Sequence, residues 1–260
     1  MQRQEASLTA FAAHLAAALD PTALARAIGM DPDPWQVDAL RTTHLRVLLN
    51  CCRQSGKSTV CALKAVHVAV YEPGSLILLL SPSQRQSAEL YLKVTATYKA
   101  VGRPIPASGE SATTLQLENG SRIIALPGTE GTTRGFSAVR LLIVDEAARV
   151  DDAVIAATRP MLAISGGTMI ALSTPAGPGG WWAKAWEDGG AEYERYRVPA
   201  TDVPRITPEF LAGERALLGP QMFSAEYECA FVAGGFALFD EAALQRMFTA
   251  DFAPLFPEGV

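Results

Sequence analysis

The sequence has no excess of basic residues: 22 Lys and Arg stand against 27 Asp and Glu, a formal charge of −5. That balance excludes a chain-wide nucleic-acid footprint, so contact with a polyanion has to come from a local patch, an oligomeric pore or another domain. Cysteine is sparse. Cys51 and Cys52 are adjacent while Cys61 and Cys229 stand alone, which gives no C-x-x-C pair, no zinc spacing and no disulfide framework. His14, His44 and His67 are scattered, with no acidic or cysteine partner at ligand spacing, so no metal or base chemistry is assigned to them. Long apolar runs are missing too. The longest aliphatic stretch, residues 76–80, falls far short of the roughly 18 to 20 residues that a membrane-spanning helix needs. The apolar stretch 11–19 is broken by His14 and followed by Asp20-Pro21 without a small-residue cleavage pattern, so a cytoplasmic location is expected.

What is present is a large apolar fraction, 49% of 260 residues, enough for a core that needs neither disulfide nor structural metal. At about 150 residues per domain the length suits one α/β domain with a smaller appendage. Leu8, Phe11, Leu15 and Leu19 recur at helical spacing. Asp20-Pro21 and Asp33-Pro34 read as helix starts, and Gly29 as a stop between them. Buried strands are expected at 45–49, 76–81, 139–144 and 168–172, with helices at 57–71, from the Ser83 and Gln86 capping pair to about 100, and at 154–162, disturbed at Pro160. Asn119-Gly120 between 114–118 and 121–126 signals a type I′ hairpin. Strands alternating with helices predict a largely parallel sheet covered on both faces. Near the end, Thr207-Pro208 opens a helix that Gly219-Pro220 closes, and a short helical piece follows.

The segment Cys51-Cys52-Arg53-Gln54-Ser55-Gly56-Lys57-Ser58-Thr59 lies between an apolar strand and a helix, where a phosphate loop has to lie. Backbone N–H groups and the helix N-terminus there can wrap a β-phosphate, Lys57 can reach the β- and γ-phosphates, and the Ser58 hydroxyl can ligate Mg²⁺. Cys51 stands where the pattern has its first glycine. Leu141-Leu142-Ile143-Val144-Asp145-Glu146 is an apolar strand ending in two acids, the Walker B arrangement, with Asp145 for the magnesium shell and Glu146 to orient or deprotonate water. Ser173-Thr174-Pro175 ends the next strand; its hydroxyls suit γ-phosphate sensing, and equally a polar strand end with a proline stop. Arg53 lies inside the phosphate loop, and Arg134 in a glycine-flanked loop from which it could reach a neighbouring subunit or simply be solvated. Trp35-Gln36 could flank adenine, and a buried anchoring Trp fits as well. Trp181-Trp182 and Trp186 suit packing or an interface.

Together, Trp35-Gln36, Arg53-Gln54-Ser55-Gly56-Lys57-Ser58, Thr133-Arg134-Gly135-Phe136-Ser137, Leu142-Ile143-Val144-Asp145-Glu146-Ala147 and Leu172-Ser173-Thr174-Pro175 resemble the large terminase subunit of tailed bacteriophages, over roughly 34–239. Glu226-Tyr227-Glu228-Cys229 is similar to the family's closing segment of the motor domain. The resemblance implies an ATPase that drives double-stranded viral DNA into a procapsid, with ATP and Mg²⁺ bound by Lys57, Ser58 and Asp145. Glu146 would be catalytic and Ser173 and Thr174 would couple hydrolysis to movement. Arg53 would be the in-loop arginine and Arg134 the arginine that acts in trans. It also implies a portal protein and a small terminase subunit as partners, a homo-oligomeric ring when assembled with a monomer as the isolated form, no membrane, and the cytoplasm of the bacterial host during virion assembly.

The fold expected is α/β, a P-loop NTPase of the additional-strand, catalytic-glutamate type, with a mostly parallel sheet flanked by helices. Residues 1–33 are expected to form a helical preface, 34–200 the ATPase core and 201–260 a small helical or irregular lid or linker. The resemblance would add an RNase H-like nuclease domain, which is expected to be absent from this chain, so DNA cleavage is not expected of it. The competing readings are a helicase-like translocase, for which too few residues follow Ser173, and a nucleotide-dependent regulatory or scaffolding module with vestigial hydrolysis.

Overall fold

The computed structural model describes residues 2–129 and 135–232, with the side chains of the first helix described from Phe11 onward. Eight strands form one sheet: β1 (Arg46–Cys51), β2 (Leu76–Ser81), β3 (Ala107–Glu110), β4 (Thr114–Leu117), β5 (Arg122–Pro127), β6 (Val139–Asp145), β7 (Thr168–Ser173) and β8 (Glu194–Val198). Their spatial order is β3-β4-β5-β2-β6-β7-β1-β8. From β5 to β8 every neighbouring pair is parallel, and β3 and β4 complete one edge antiparallel. The carboxyl ends of β1, β6 and β7 therefore share one edge of the sheet, with β7 between the other two.

The central strands are apolar throughout because both their faces are covered. Val47, Leu49, Cys51, Ile77, Leu79, Leu141, Ile143, Ile170 and Leu172 point to one core, while Leu48, Leu78, Leu80, Leu142, Val144, Met169 and Ala171 point to the other. This is the two-residue alternation of a pleated strand. Helices α4 (Lys57–Tyr71) and α5 (Gln84–Ala100) pack on the first face, with contributions from α2 (Thr22–Ala27) and α3 (Pro34–Arg41). Helices α6 (Asp152–Thr158) and α7 (Gly180–Glu187) cover the second. There Trp182 is buried, edge-on to Trp181 and beside Trp186, so the tryptophans pack.

Helix starts follow the residues that signal them. Asp33 and Gln36 form a capping box at α3, and the Ser83 hydroxyl accepts from Gln86 N at α5. The last helix, α8 (Pro208–Tyr227), is broken at Gly219, whose φ of +74° leaves the helical region just before Pro220. One expectation is corrected. In the hairpin between β4 and β5, Gly120 has positive φ and Asn119 does not, while Gly120 N donates to Leu117 O. A type I′ turn needs both central residues left-handed, so the connection is instead a longer loop with glycine at its left-handed position. In α1 (Gln2–Leu19), Phe11, Leu15 and Leu19 are exposed, and it is Ala17 that is buried. The helix therefore forms as its spacing predicts but docks on its small-residue face. Among the described residues, no helix is long and apolar enough to cross a membrane.

Candidate functional site

Strand β1 runs through Cys51, which pairs with Val198 of β8 and is fully buried. The residue at the pattern's first glycine position is thus still in a strand, where a side chain packs into the core and nothing demands glycine. Beyond it the chain turns sharply: Gln54 has φ +61° and Gly56 φ +92°, and α4 begins at Lys57. Gly56 is required there, because its φ of +92° strains any residue with a Cβ, and that Cβ would also sit 2.6 Å from Gln36 Nε2. The loop is closed from within by Ser55 Oγ donating to Cys52 O at 3.0 Å and Lys57 Nζ donating to the same oxygen at 3.3 Å.

A cavity of about 300 Å³ opens over this turn. Its walls are Arg53, Gln54, Ser55, Gly56, Lys57, Ser58 and Thr59 from the loop and the first turn of α4, Glu146 after β6, Thr174 after β7, and Lys93 from α5. Two carboxylates meet the loop from β6. Asp145 Oδ1 accepts from Glu146 N at 3.0 Å, and Glu146 holds a left-handed backbone, φ +50° and ψ +42°. Burial, reinforced by the negative charge of Glu146, pushes the Asp145 carboxyl up to about 6, against the opposing pull of the Glu146 N–H and of Lys57 and Lys93. An acid in that state is better matched by a cation than by solvent.

The backbone of the loop is held from two sides. Behind it, Gln36 Nε2 and Arg205 Nη2 both donate to Ser55 O at 3.3 Å. Arg205 also grips the buried Asp33 bidentately at 3.0 and 2.8 Å, and Asp33 N donates to Gln36 Oε1. On the other side, Arg53 N donates to Glu226 O, and Arg53 Nε to Glu226 Oε2 at 2.7 Å. Arg149 stands 3.6 Å from the same carboxylate and donates to Glu146 Oε2 at 2.6 Å. Burial opposes ionisation of Glu226, yet these partners hold it below the ordinary glutamate range.

The structure thus gathers Arg53 to Thr59, Glu146 and Thr174 around one cavity. Asp145 lies just beneath it, and Ser173 is buried with its hydroxyl donating to Thr174 O. Trp35 and Gln36 do not line it. Gln36 is buried and occupied by the loop backbone, and the Trp35 indole N–H is buried without a partner among the described residues. Arg134 lies outside the described residues. Sequence reasoning missed Lys93, Arg149 and Arg205. Arg149 carries a faint signal, three residues after Glu146, whereas nothing local marks the other two.

A phosphate loop after one parallel strand and an acid pair after another, with a single strand between them, define a P-loop NTPase of the additional-strand, catalytic-glutamate class. The sequence profile of the family described as terminase large subunit, T4likevirus-type, N-terminal, matches residues 48–246, and the chain belongs to that family. The large terminase subunit of Thermus virus P23-45 is 25% identical over 202 residues, taking in 70% of this chain and 41% of that protein, so the chain spans less than half the length of this relative. The Thermus phage P74-26 large terminase ATPase domain superposes with a TM-score of 0.71 at 21% identity, covering 80% of this chain and 97% of that one. The large terminase of a thermophilic bacteriophage in complex with ADP gives 0.67 at 12% identity, covering 77% of this chain and 54% of that one.

Proposed function

We propose that the chain is the ATP-hydrolysing motor domain of a phage DNA-packaging terminase, moving double-stranded DNA into a procapsid. The observation that carries this is the convergence of the phosphate loop, Lys57 and Glu146 on one cavity with Thr174 at its rim. Loop N–H groups and the α4 N-terminus bind the inner phosphates, and Lys57 leaves the Cys52 carbonyl to meet the outer ones. Glu146 takes a proton from water as the water oxygen bonds to the γ-phosphorus and the bond to the bridging oxygen breaks, giving ADP and phosphate. Ser58 and the half-buried Asp145 fit a Mg²⁺ ion, which when bound offsets phosphate charge.

The finer reading follows the family. Residues 34–200 act as the ATPase core, 201–260 as a lid or linker and 1–33 as a preface, with Ser173 and Thr174 coupling γ-phosphate loss to movement. Trp35 serves the base from outside the phosphate cavity. Partners are a portal protein, a small terminase subunit and further copies in a ring, in the cytoplasm of the bacterial host. Arg134 acts in trans, so Arg134→Ala keeps nucleotide affinity and loses assembly-stimulated turnover. Unchanged turnover in the assembled ring removes it from the site.

The test is ATP turnover and nucleotide binding by the parent chain, Lys57→Ala and Glu146→Gln. The parent hydrolyses ATP, Lys57→Ala fails to bind it, and Glu146→Gln binds but turns over at least about 100-fold more slowly. Background turnover in all three, despite added DNA and concentrated protein, leaves a passive nucleotide-binding module.

A further inference from the structure

Three cations line the cavity, and two of them are engaged. Arg53 is tied to Glu226, and the Lys57 ammonium rests on the Cys52 carbonyl. The third, Lys93, lines the cavity with an ammonium that has neither a hydrogen bond nor an ion pair among the described residues. It is carried on α5, whose buried face (Leu90, Tyr91, Val94 and Tyr98) fixes the helix against the sheet. An exposed lysine on a fixed helix usually pairs with a carboxylate or reaches into bulk water. Lys93 instead lines the same cavity as Glu146 and Thr174.

The geometry points to Lys93 as a second phosphate-binding lysine, supplied by the same chain and directed at the terminal phosphate of the nucleotide. This rests on the ATP reading above. The loop N–H groups and the α4 N-terminus surround the inner phosphates, whereas Glu146 and Thr174 mark the end where the terminal phosphate and the attacking water lie. Lys93 lines the cavity together with these two residues, and it comes from α5, outside the loop that holds the inner phosphates. A side chain on a helix leans toward the helix N-terminus, which brings the Lys93 ammonium toward the carboxyl edge where β2 hands over to α5. An ammonium placed there bonds a γ-phosphate and has nothing to bond in a diphosphate. Lys93 thereby favours the triphosphate over the product.

The experiment measures binding of Mg·ATPγS and Mg·ADP by titration calorimetry on the full chain, its Lys93→Gln and Lys93→Arg variants, and Lys99→Gln as a control. Lys99 is on the same helix and pairs with Glu110. Lys93→Gln weakens ATPγS about tenfold or more, the size of a lost charge-assisted bond, while ADP stays within about twofold. Lys93→Arg restores most of the difference and Lys99→Gln matches the parent. Equal losses for both nucleotides, no loss for either, or a change confined to DNA-stimulated turnover overturns the assignment while the ATP reading stands. A parent chain that binds neither nucleotide overturns the ATP reading and this inference with it.

Discussion

Behind the phosphate loop, Asp33, Gln36 and Arg205 hold a backbone carbonyl, that of Ser55; in front of it, Glu226 holds a side chain, Arg53, and through Arg149 reaches another, Glu146. None of the three rear residues lines the cavity, so a nucleotide can arrive without disturbing any of their bonds. In front, Arg53 and Glu146 are at once walls of the cavity and members of the ion-pair chain. Phosphate charge entering the cavity competes with Glu226 for Arg53, and Glu146 cannot both serve Arg149 and accept a proton from water. The rear is a fixture and the front an exchange of partners. Affinity should therefore depend on the rear contacts and turnover on the front ones.

The sharpest test of the rear is Gly56→Ala. The new Cβ meets Gln36 Nε2 at 2.6 Å on a residue with φ +92°, so the strain of that backbone and the displaced Gln36 together cost roughly 2 to 5 kcal/mol. Nucleotide affinity is expected to fall about 30-fold or more with the fold retained, read by calorimetry beside a melting curve. Wild-type affinity would show that Gln36 does not fix the loop.

Asp145 adds a pH dependence beneath the front side. Its carboxyl sits at about 6 instead of the ordinary 3.8, so the native chain holds a proton there that the unfolded chain has already lost. Its contribution to stability is greatest below about pH 4 and declines as pH rises to about 6. Binding Mg²⁺ requires the carboxylate, so Mg·nucleotide affinity should weaken by up to tenfold per pH unit below about 6. Asp145→Asn should flatten that profile and raise the melting temperature of the metal-free chain at pH 8. A profile identical to the parent's excludes Asp145 from the metal site.

Arg205→Ala probes the rear more gently. It removes one donor to Ser55 O and leaves Asp33 buried without its arginine, a loss of about 1 to 3 kcal/mol in stability. Nucleotide affinity should fall about five- to tenfold at unchanged kcat, and Arg205→Lys should not restore it, because an ammonium cannot span both Asp33 oxygens and the carbonyl. A drop in kcat at constant affinity would erase the distinction between the two sides.

How much of this was legible in the sequence depends on how local the cause is. The phosphate loop, the acid pair on β6 and the break at Gly219-Pro220 are each written in a few contiguous residues, and the structure follows them closely. Strand β8 reads Glu-Arg-Tyr-Arg-Val, with only Val198 buried, and β3 has no apolar alternation at all; both are edge strands held by their neighbours' backbone. The exposure of Phe11, Leu15 and Leu19 shows the opposite failure, since periodicity predicts the helix but not which face docks. Lys93 and Arg205 are invisible because their roles come from where α5 and the segment after β8 pack, and each reaches the loop from far along the chain.

The smallest effect is the most diagnostic, because it changes sign between two views of Arg149. If Arg149 orients Glu146 for catalysis, its loss slows hydrolysis. The geometry favours the reverse. Glu146 Oε2 accepts from Arg149 at 2.6 Å, and a carboxylate spent on a guanidinium is not free to take a proton from water. Partly exposed pairs are worth about 0.2 to 1 kcal/mol, so Arg149→Ala should raise basal turnover of the unassembled chain by about 1.4- to 5-fold with nucleotide affinity unchanged. Glu226→Gln should do less, because it loosens Arg149 from one partner and leaves the bond to Glu146 in place. Steady-state kinetics at saturating ATP distinguish the two views, and a fall in kcat for Arg149→Ala would mean that the front contacts position Glu146 instead of restraining it.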